Sequence, residues 1–599
     1  MLVQCWYNRG MNQTFVSVKT CLSLLTLLAA PLPFLLASAP ASGASQAPTI
    51  CNPINLPYNF QNDHPSWRTA ADPAVVVYKG EYWLFATGSG GYWHSKDFMH
   101  WTLVTTNALP LGVGHDAPGV LAIGNTLYWT AINTGVYETD DPGSGTWKLV
   151  SDPQQKTSGD PDLFQDDDGR VYLYTGSGVE GPISGQEVDP KNGFKPLTDQ
   201  KTLLVGLTAT HGGEIFAEPT AAPPYRENYA WIEGAWMTKH DGKYYLQYAA
   251  PATELKSYSD SVYVSDHPLG PFTYAPYSPF SFKPTGFAAA AGHSATFLDF
   301  GGRYWHISTM TISIRHIFER RLGVFPTWFT PDGQMVCNTY LGDYPQYAPG
   351  VVQNPSKGGL LGNSPGWMLL SYHKAATASS TLDGHPAENA FDEDIRTWWS
   401  AKTGDPGERL QVDFGKPCRV EAVQVNFADE GATQTGHLND GYGYTLEASR
   451  DGKTWTTLVD RSADKRDASQ DYAPLDKPLI ARYARITNTH SPGGGKFSLS
   501  GLRFFGSGLG HAPPRAAGIE VQRDAADGRQ ATISWRPVSG ADGYIVRYGI
   551  AKDKMFSSYQ VYDSKTLPIH TLNVGVPYFF TVDTFNDTGV TPGTSTTSG

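Results

Sequence analysis

The chain of 599 residues is too long for one domain and is proportioned for three or four. With 13% aromatic and 17% charged residues, 63 Gly and 43 Pro, it favours turn-rich β-structure over helical bundles. A net charge of −12 argues against a phosphate-backbone partner such as nucleic acid, and no stretch after residue 45 is long and apolar enough to span a membrane.

At the N-terminus Lys19 precedes an apolar run at 21–37, interrupted by Pro31 and Pro33, and small residues follow. This is the layout of a secretory signal over residues 1–44, with Met11 as an alternative start and cleavage between Ala39 and Ala47. An uncleaved anchor is the competing interpretation. A secreted, periplasmic or extracellular protein is expected. Cys51, Cys337 and Cys418 remain after cleavage, an odd count that cannot pair fully within the chain. Cys51 opens the next domain and Cys337 closes it, so a bridge between its ends and three free buried thiols are both open.

Residues 45–350 repeat one unit. TAADPAVVVYKGEYWLFATG from Thr69 has an acidic residue, an apolar strand, a Lys-Gly turn and an aromatic-rich return strand. Comparable units are APGVLAIGNTLYWTA from Ala117, GDPDLFQDDDGRVYLYTG from Gly159, IEGAWMTKHDGKYYLQYA from Ile232 and GHSATFLDFGGRYWHIST from Gly292. Hairpins recurring every ~40–70 residues are the sign of a propeller, and five units predict five blades. In a propeller the innermost strands begin around one axis, so Asp72, Asp160, Glu233 and His293 are expected to converge there. Three carboxylates in one place have their pKa values pushed apart, as general acid and general base work requires. A long insertion at 207–230 leads into Glu233.

Residues 351–370 have a linker composition. Short alternating strands at 371–507 predict a β-sandwich, a second linker occupies 508–514, and 515–599 predict another, smaller sandwich. The predicted fold class is therefore all-β throughout.

The Ala-Asp-Pro at Ala71, GDPDLFQDDDG at Gly159, IEGAWMTKHDGKYYL at Ile232 and GHSATFLDFGGRYWHI at Gly292 resemble, in order and spacing, the motifs of the family 43 glycoside hydrolases, over 70–345. The resemblance implies that Asp72 is the general base, Glu233 the general acid, and Asp160 the group that orients the acid and raises its pKa. Asp162 competes for the third role, and Asp160 is preferred because, as in similar sequences, two residues separate it from the Leu163-Phe164 pair. His293 is expected on the axis, where the family often holds a cation, so a structural Ca²⁺ or other ion is anticipated and no organic cofactor. Arg320 matches an arginine near the sugar, and Trp93 and Trp231 are candidates to stack on it. The Asp166-Asp167-Asp168-Gly169 run is expected to be a hairpin turn. Where many relatives carry Trp before the second-blade Ala-Pro, this chain has His115-Asp116, which alters a sugar-facing wall.

ATASSTLDG from Ala376, AENAFDEDIRTWWS from Ala387 and the Phe-Phe-Gly at Phe504 resemble discoidin-type (factor 5/8 type C) modules, many of which bind carbohydrate; Trp398 is expected near the ligand loops. Trp535, Gly543-Tyr544 and Tyr578 resemble fibronectin type III. These resemblances together imply a monomeric, inverting exo- or debranching glycosidase on plant cell-wall polysaccharide or its oligosaccharides, an α-L-arabinofuranosidase or β-D-xylosidase, with an appended domain that anchors it to polymer. An enzyme of the same fold acting on galactan side chains, a lectin-like propeller and an adhesin are the alternatives.

Overall fold

The computed structural model describes residues 47–61, 67–112, 114–215, 230–351, 356–433, 440–594 and 597–598. The signal proposed at 1–44 and positions 216–229 of the long insertion lie outside the described residues. Among the described residues the structure is all-β with a few short 3₁₀ turns, and no helix is long and apolar enough to cross a membrane.

Five antiparallel hairpins form the first domain. Their innermost strands are Ala71–Tyr78, Gly119–Ile123, Asp162–Gln165, Trp231–His240 and Ala289–Leu298, and their return strands Glu81–Thr87, Thr126–Thr130, Val171–Thr175, Lys243–Ala250 and Tyr304–Thr311. Each innermost strand neighbours the next, and the fifth returns to the first, which closes a five-bladed ring. The turns follow from their residues: Lys79-Gly80 and Asp241-Gly242 all have positive φ, the backbone that matches the twist of a two-residue hairpin. Asp166 to Gly169 closes another hairpin, the Gly169 N–H donating to Asp166 O at 2.9 Å.

The ring is fastened by the segment before the first blade. Thr49–Ile50 pairs with Gln346–Tyr347, and the Asn52 amide donates to Val324 O (2.9 Å) and Gly342 O (2.8 Å) while its oxygen accepts from Val324 N (3.0 Å). No bridge is involved: Cys51, Cys337 and Cys418 are free and buried, and the Cys51 thiol donates to Asp343 O at 3.1 Å. Burial pushes all three thiols up to about 12.

Apolar residues of neighbouring blades fill the spaces between sheets. One such cluster joins Val75, Leu84, Phe98, Phe297 and Trp305, and Trp93 is wholly enclosed in it. This corrects the expectation that Trp93 stacks on a ligand: its strand, Tyr92–Ser95, is the third of its blade, and its indole is core.

The second domain is a sandwich built on the long strands Arg409–Phe427, Gln470–His490 and Ser498–Gly508, with Met368–Leu369 already paired to Phe505 and Gly506. The third has two sheets, one of Glu520–Arg523, Ala531–Ser534 and Thr566–Ile569, the other centred on Gly543–Gly549 and Phe579–Asn586. Residues 47–599 make a single compact unit. The contacts between its parts are buried and ionic: Arg68 is fully enclosed and donates to both carboxylate oxygens of Asp429 (2.9 and 3.1 Å) and to Asp467. Arg503 pairs with Glu393 through two 2.9 Å bonds and donates to Asp343 O at 2.7 Å. One apolar cluster contains Tyr340 and Tyr344 of the first domain, Ala422 and Phe505 of the second, and Ile545 and Phe585 of the third.

Candidate active site

The innermost strands do not enter the cavity as regular strands. Asp72, Ala117, Gly234 and His293 have φ of 52, 51, 64 and 45°, the left-handed region, and register shifts follow at Ala71/Ala74, Glu233/Trp236 and Gly292/Ala295. Such bulges re-aim a side chain next to a site, and holding Asp or His there requires support from the surroundings. The support is repeated from blade to blade. The N–H of Asp72 donates to Thr309 Oγ1 (2.8 Å), that of Ala117 to Thr87 Oγ1 (2.7 Å), that of Gly234 to Asp160 Oδ2 (3.0 Å) and that of His293 to Asp260 Oδ1 (2.9 Å). Each bulge is thus capped by a side-chain oxygen from elsewhere in the ring. Gly234 is also required by space, because a Cβ there would stand 2.8 Å from the His293 ring.

These bulges bring Asp72, Asp160, Glu233 and His293 together. His293 Nδ1 lies 3.3 Å from Asp72 Oδ1, 3.8 Å from Asp160 Oδ2 and 3.9 Å from Glu233 Oε1. Arg320 Nη1 stands 3.5 Å from the same Asp72 oxygen and 3.4 Å from Thr253 Oγ1. Trp231, 37% exposed, donates its indole N–H to Glu233 Oε2 at 2.8 Å, and the Tyr258 hydroxyl donates to Glu233 Oε1. Asp162 is elsewhere: its carboxylate caps Met237 N at 2.8 Å, between blades, and burial raises its pKa to about 7.

The environments separate the carboxyl groups. Burial works to raise the Asp72 pKa, but the His293 imidazolium, Arg320 and the hydroxyls of Thr87 and Thr309 outweigh it and hold Asp72 below the usual carboxylate range. Asp160 is pushed up, first by burial and then by Glu233 and Asp72, against the opposing pull of His293. His293 itself would be lowered by burial, yet Asp72, Glu233 and Asp160 raise it to about 10. At neutral pH the cluster therefore contains an ionised Asp72 beside a protonated imidazole and an adjacent Asp160 inclined to keep its proton. An ionised acid can accept a proton from water, and a second carboxyl group nearby can deliver one.

Sequence reasoning did not find Thr87, Thr309, Tyr258 or Asp260. Thr87 ends its return strand and Thr309 stands two residues before the end of its own, and nothing local distinguishes them from ordinary strand threonines. Asp260 lies on the third strand of the fourth blade, Ser259–Ser265, where it also accepts from buried His306 at 2.9 Å; between Ser259 and Ser261 it carries no local signal.

The family model for glycosyl hydrolases family 43 matches residues 67–335, and that for the F5/8 type C domain matches 375–501. A beta-xylosidase of Xylanibacter ruminicola is 30% identical over 161 residues, 24% of this chain and 49% of that protein. A xylosidase/arabinosidase of Humicola insolens is 28% identical over 205 residues, 30% of this chain and 58% of that one. The chain thus spans about half the length of the curated relatives it matches. A family 43 protein of Bacillus licheniformis aligns with 76% of this chain and 98% of its own at 16% identity, with a TM-score of 0.38. All four converging residues fall within the match to the family 43 glycosyl hydrolase model at 67–335, and the match to the F5/8 type C model at 375–501 follows it.

Proposed function

We propose that the protein is a secreted, inverting glycoside hydrolase acting on plant cell-wall polysaccharides or their oligosaccharides, as an α-L-arabinofuranosidase or β-D-xylosidase. The observation that carries this reading is the convergence of Asp72, Asp160 and Glu233 on His293 within 3.9 Å, inside a family 43 domain. The names of two relatives, a beta-xylosidase and a xylosidase/arabinosidase, point to pentosides. Asp72, kept ionised by His293 and Arg320, deprotonates a water that attacks the anomeric carbon, while Glu233 gives its proton to the departing oxygen. Asp160, which holds the Gly234 amide next to Glu233, orients the acid. Trp231, bonded to the acid, lies on the leaving-group side. The wild-type protein assayed against aryl glycosides of arabinofuranose, xylose and galactose tests the reading: release from the first two supports it, and no release from any contradicts it.

Three further parts belong to the proposal. Residues 1–44 direct secretion, the folded protein is a monomer, and 515–599 are a fibronectin type III-like domain, supported by its two-sheet arrangement with Trp535 and Tyr578 in one core. A cation on His293 is supported by Asp160, Glu233 and His293 offering ligand atoms within 4.8 Å of one another, and by Nδ1 having no hydrogen-bond partner among the described residues. That donor set includes the proposed acid, and a cation bound there would take the place of the imidazole proton. Exhaustive chelation is expected to lower activity or melting temperature in the wild type and to leave His293→Ala unaffected. Equal responses of the two proteins to chelation would remove the cation from the account.

A further inference from the structure

In the fifth blade the return strand Tyr304–Thr311 is joined to Arg320–Phe329 by a loop, residues 312–319, that runs from the rim of the cavity to the F5/8 type C domain. Its base is closed by Ile312 N and Ser313 N donating to Glu319 O at 2.9 and 3.0 Å. The buried Glu319 carboxylate accepts from Ile314 N (3.2 Å), Arg315 N (2.9 Å) and Arg315 Nη1 (3.4 Å). Its outer side is held by the second domain. Arg315 Nη2 donates to Ala428 O at 2.5 Å and stands 4.0 Å from Glu430 Oε2, and its guanidinium lies 5.6 Å from the Trp398 ring centre. From the other side Arg396 Nε donates to Ile312 O at 3.2 Å. Trp398, expected from sequence near the ligand loops of its own domain, is here half-buried against Arg315 and stacked on His385 at 4.4 Å.

Beside Arg320 the same loop exposes apolar surface. Phe318 is 42% and Ile317 51% exposed. The Phe318 ring lies 5.1 Å from the guanidinium carbon of Arg320, the residue that contacts Asp72. Next to it His316 stacks on Trp67 at 4.5 Å with the rings 9° apart, so aromatic faces back the loop. Trp231 is the half-exposed aromatic at Glu233, and Phe318 is its counterpart at the Arg320–Asp72 pair. A loop tied at its base and on its outer side, with Ile317 and Phe318 left facing solvent, has lost conformational freedom without gaining burial for them. A ligand with an apolar face supplies that burial, and the C–H face of a sugar ring is such a surface.

We propose that residues 312–319 form a sugar-binding wall of the catalytic cleft, in which Phe318 stacks on a ring of the substrate and the F5/8 type C domain holds the wall in position through Arg315. This rests on the glycosidase reading above. It makes the second domain part of the cleft, in addition to any hold it has on polymer.

Steady-state kinetics on an aryl pentoside and on a pentose oligosaccharide, with melting temperatures recorded, test it in the wild type and in Phe318→Ala, Phe318→Tyr, Arg315→Ala and Arg315→Lys. Phe318 is exposed, so its variants are expected to melt with the wild type. Phe318→Ala is expected to raise KM about tenfold on the oligosaccharide with kcat changed less than about twofold, and Phe318→Tyr to keep the wild-type KM. Arg315→Ala is expected to raise KM in the same direction, with partial recovery in Arg315→Lys. An active wild type whose Phe318→Ala variant keeps its KM overturns the wall while leaving the glycosidase reading intact. An Arg315→Ala variant that lowers melting temperature and kcat at unchanged KM overturns the positioning role. A wild type inactive on every glycoside overturns both readings.

Discussion

Glu233→Ala is expected to lower kcat by ~10²–10⁴-fold on substrates with a poor leaving group and far less on activated aryl glycosides, because a good leaving group departs without being protonated. Asp72→Ala is expected to lose ~10²–10⁴-fold on good and poor leaving groups alike, since the attacking water needs a base in either case. The two groups have different partners. Asp72 faces Arg320 at 3.5 Å and His293 at 3.3 Å, which favour its charge, whereas Glu233, 3.9 Å from His293, is positioned by the hydroxyl of Tyr258 and the indole of Trp231. Matching losses across a leaving-group series in both variants would contradict the division of labour.

Deleting 371–599 is expected to abolish activity on small aryl glycosides as completely as on insoluble polysaccharide. A freely tethered anchor would predict loss on polysaccharide only. The structure argues otherwise, because one apolar cluster runs through all three domains and would be cut open, exposing Tyr340, Leu341, Tyr344 and Cys51. Each such side chain is worth ~1.5–3 kcal/mol when buried. Together that is comparable with the roughly 5–15 kcal/mol by which a folded protein is stable. The deletion also removes the carboxylates that neutralise Arg68 and the carbonyl that holds Arg315. A soluble truncated protein with wild-type kcat/KM on an aryl glycoside would show instead that the first domain is independent.

The hairpin units were legible because their signals are local: a Gly turn, β-branched and aromatic strands, and an acidic residue at each opening. Repetition then predicted the ring, and the ring predicted the meeting of Asp72, Asp160, Glu233 and His293. The left-handed backbone at Asp72, Ala117 and His293 was not legible, because these residue types do not announce positive φ and the side-chain oxygens that stabilise them come from distant strands. Trp93 shows the limit of composition. An aromatic near an expected cavity is core or platform according to which strand of the blade carries it, and only the register decides. The fusion of the domains was hidden for a related reason: Arg68, Asp429 and Asp467 look like ordinary surface charges until they are found buried together. Such groups are tolerated inside only when paired, and their pairing partners lie more than 350 residues apart in sequence.

The most direct test of the account is the stereochemistry of the first product. Acid and base stand roughly 6.5–9.5 Å apart in inverting enzymes, with a water between them, and about 5–5.5 Å apart in retaining ones. Asp72 and Glu233 belong to the first and fourth of five blades, and the account assigns a water, with no covalent sugar intermediate, to the space between them. Proton NMR of the sugar released in the first turnovers, before mutarotation, is expected to show the anomer opposite to that of the substrate. Release of the same anomer would contradict the roles given to Asp72 and Glu233.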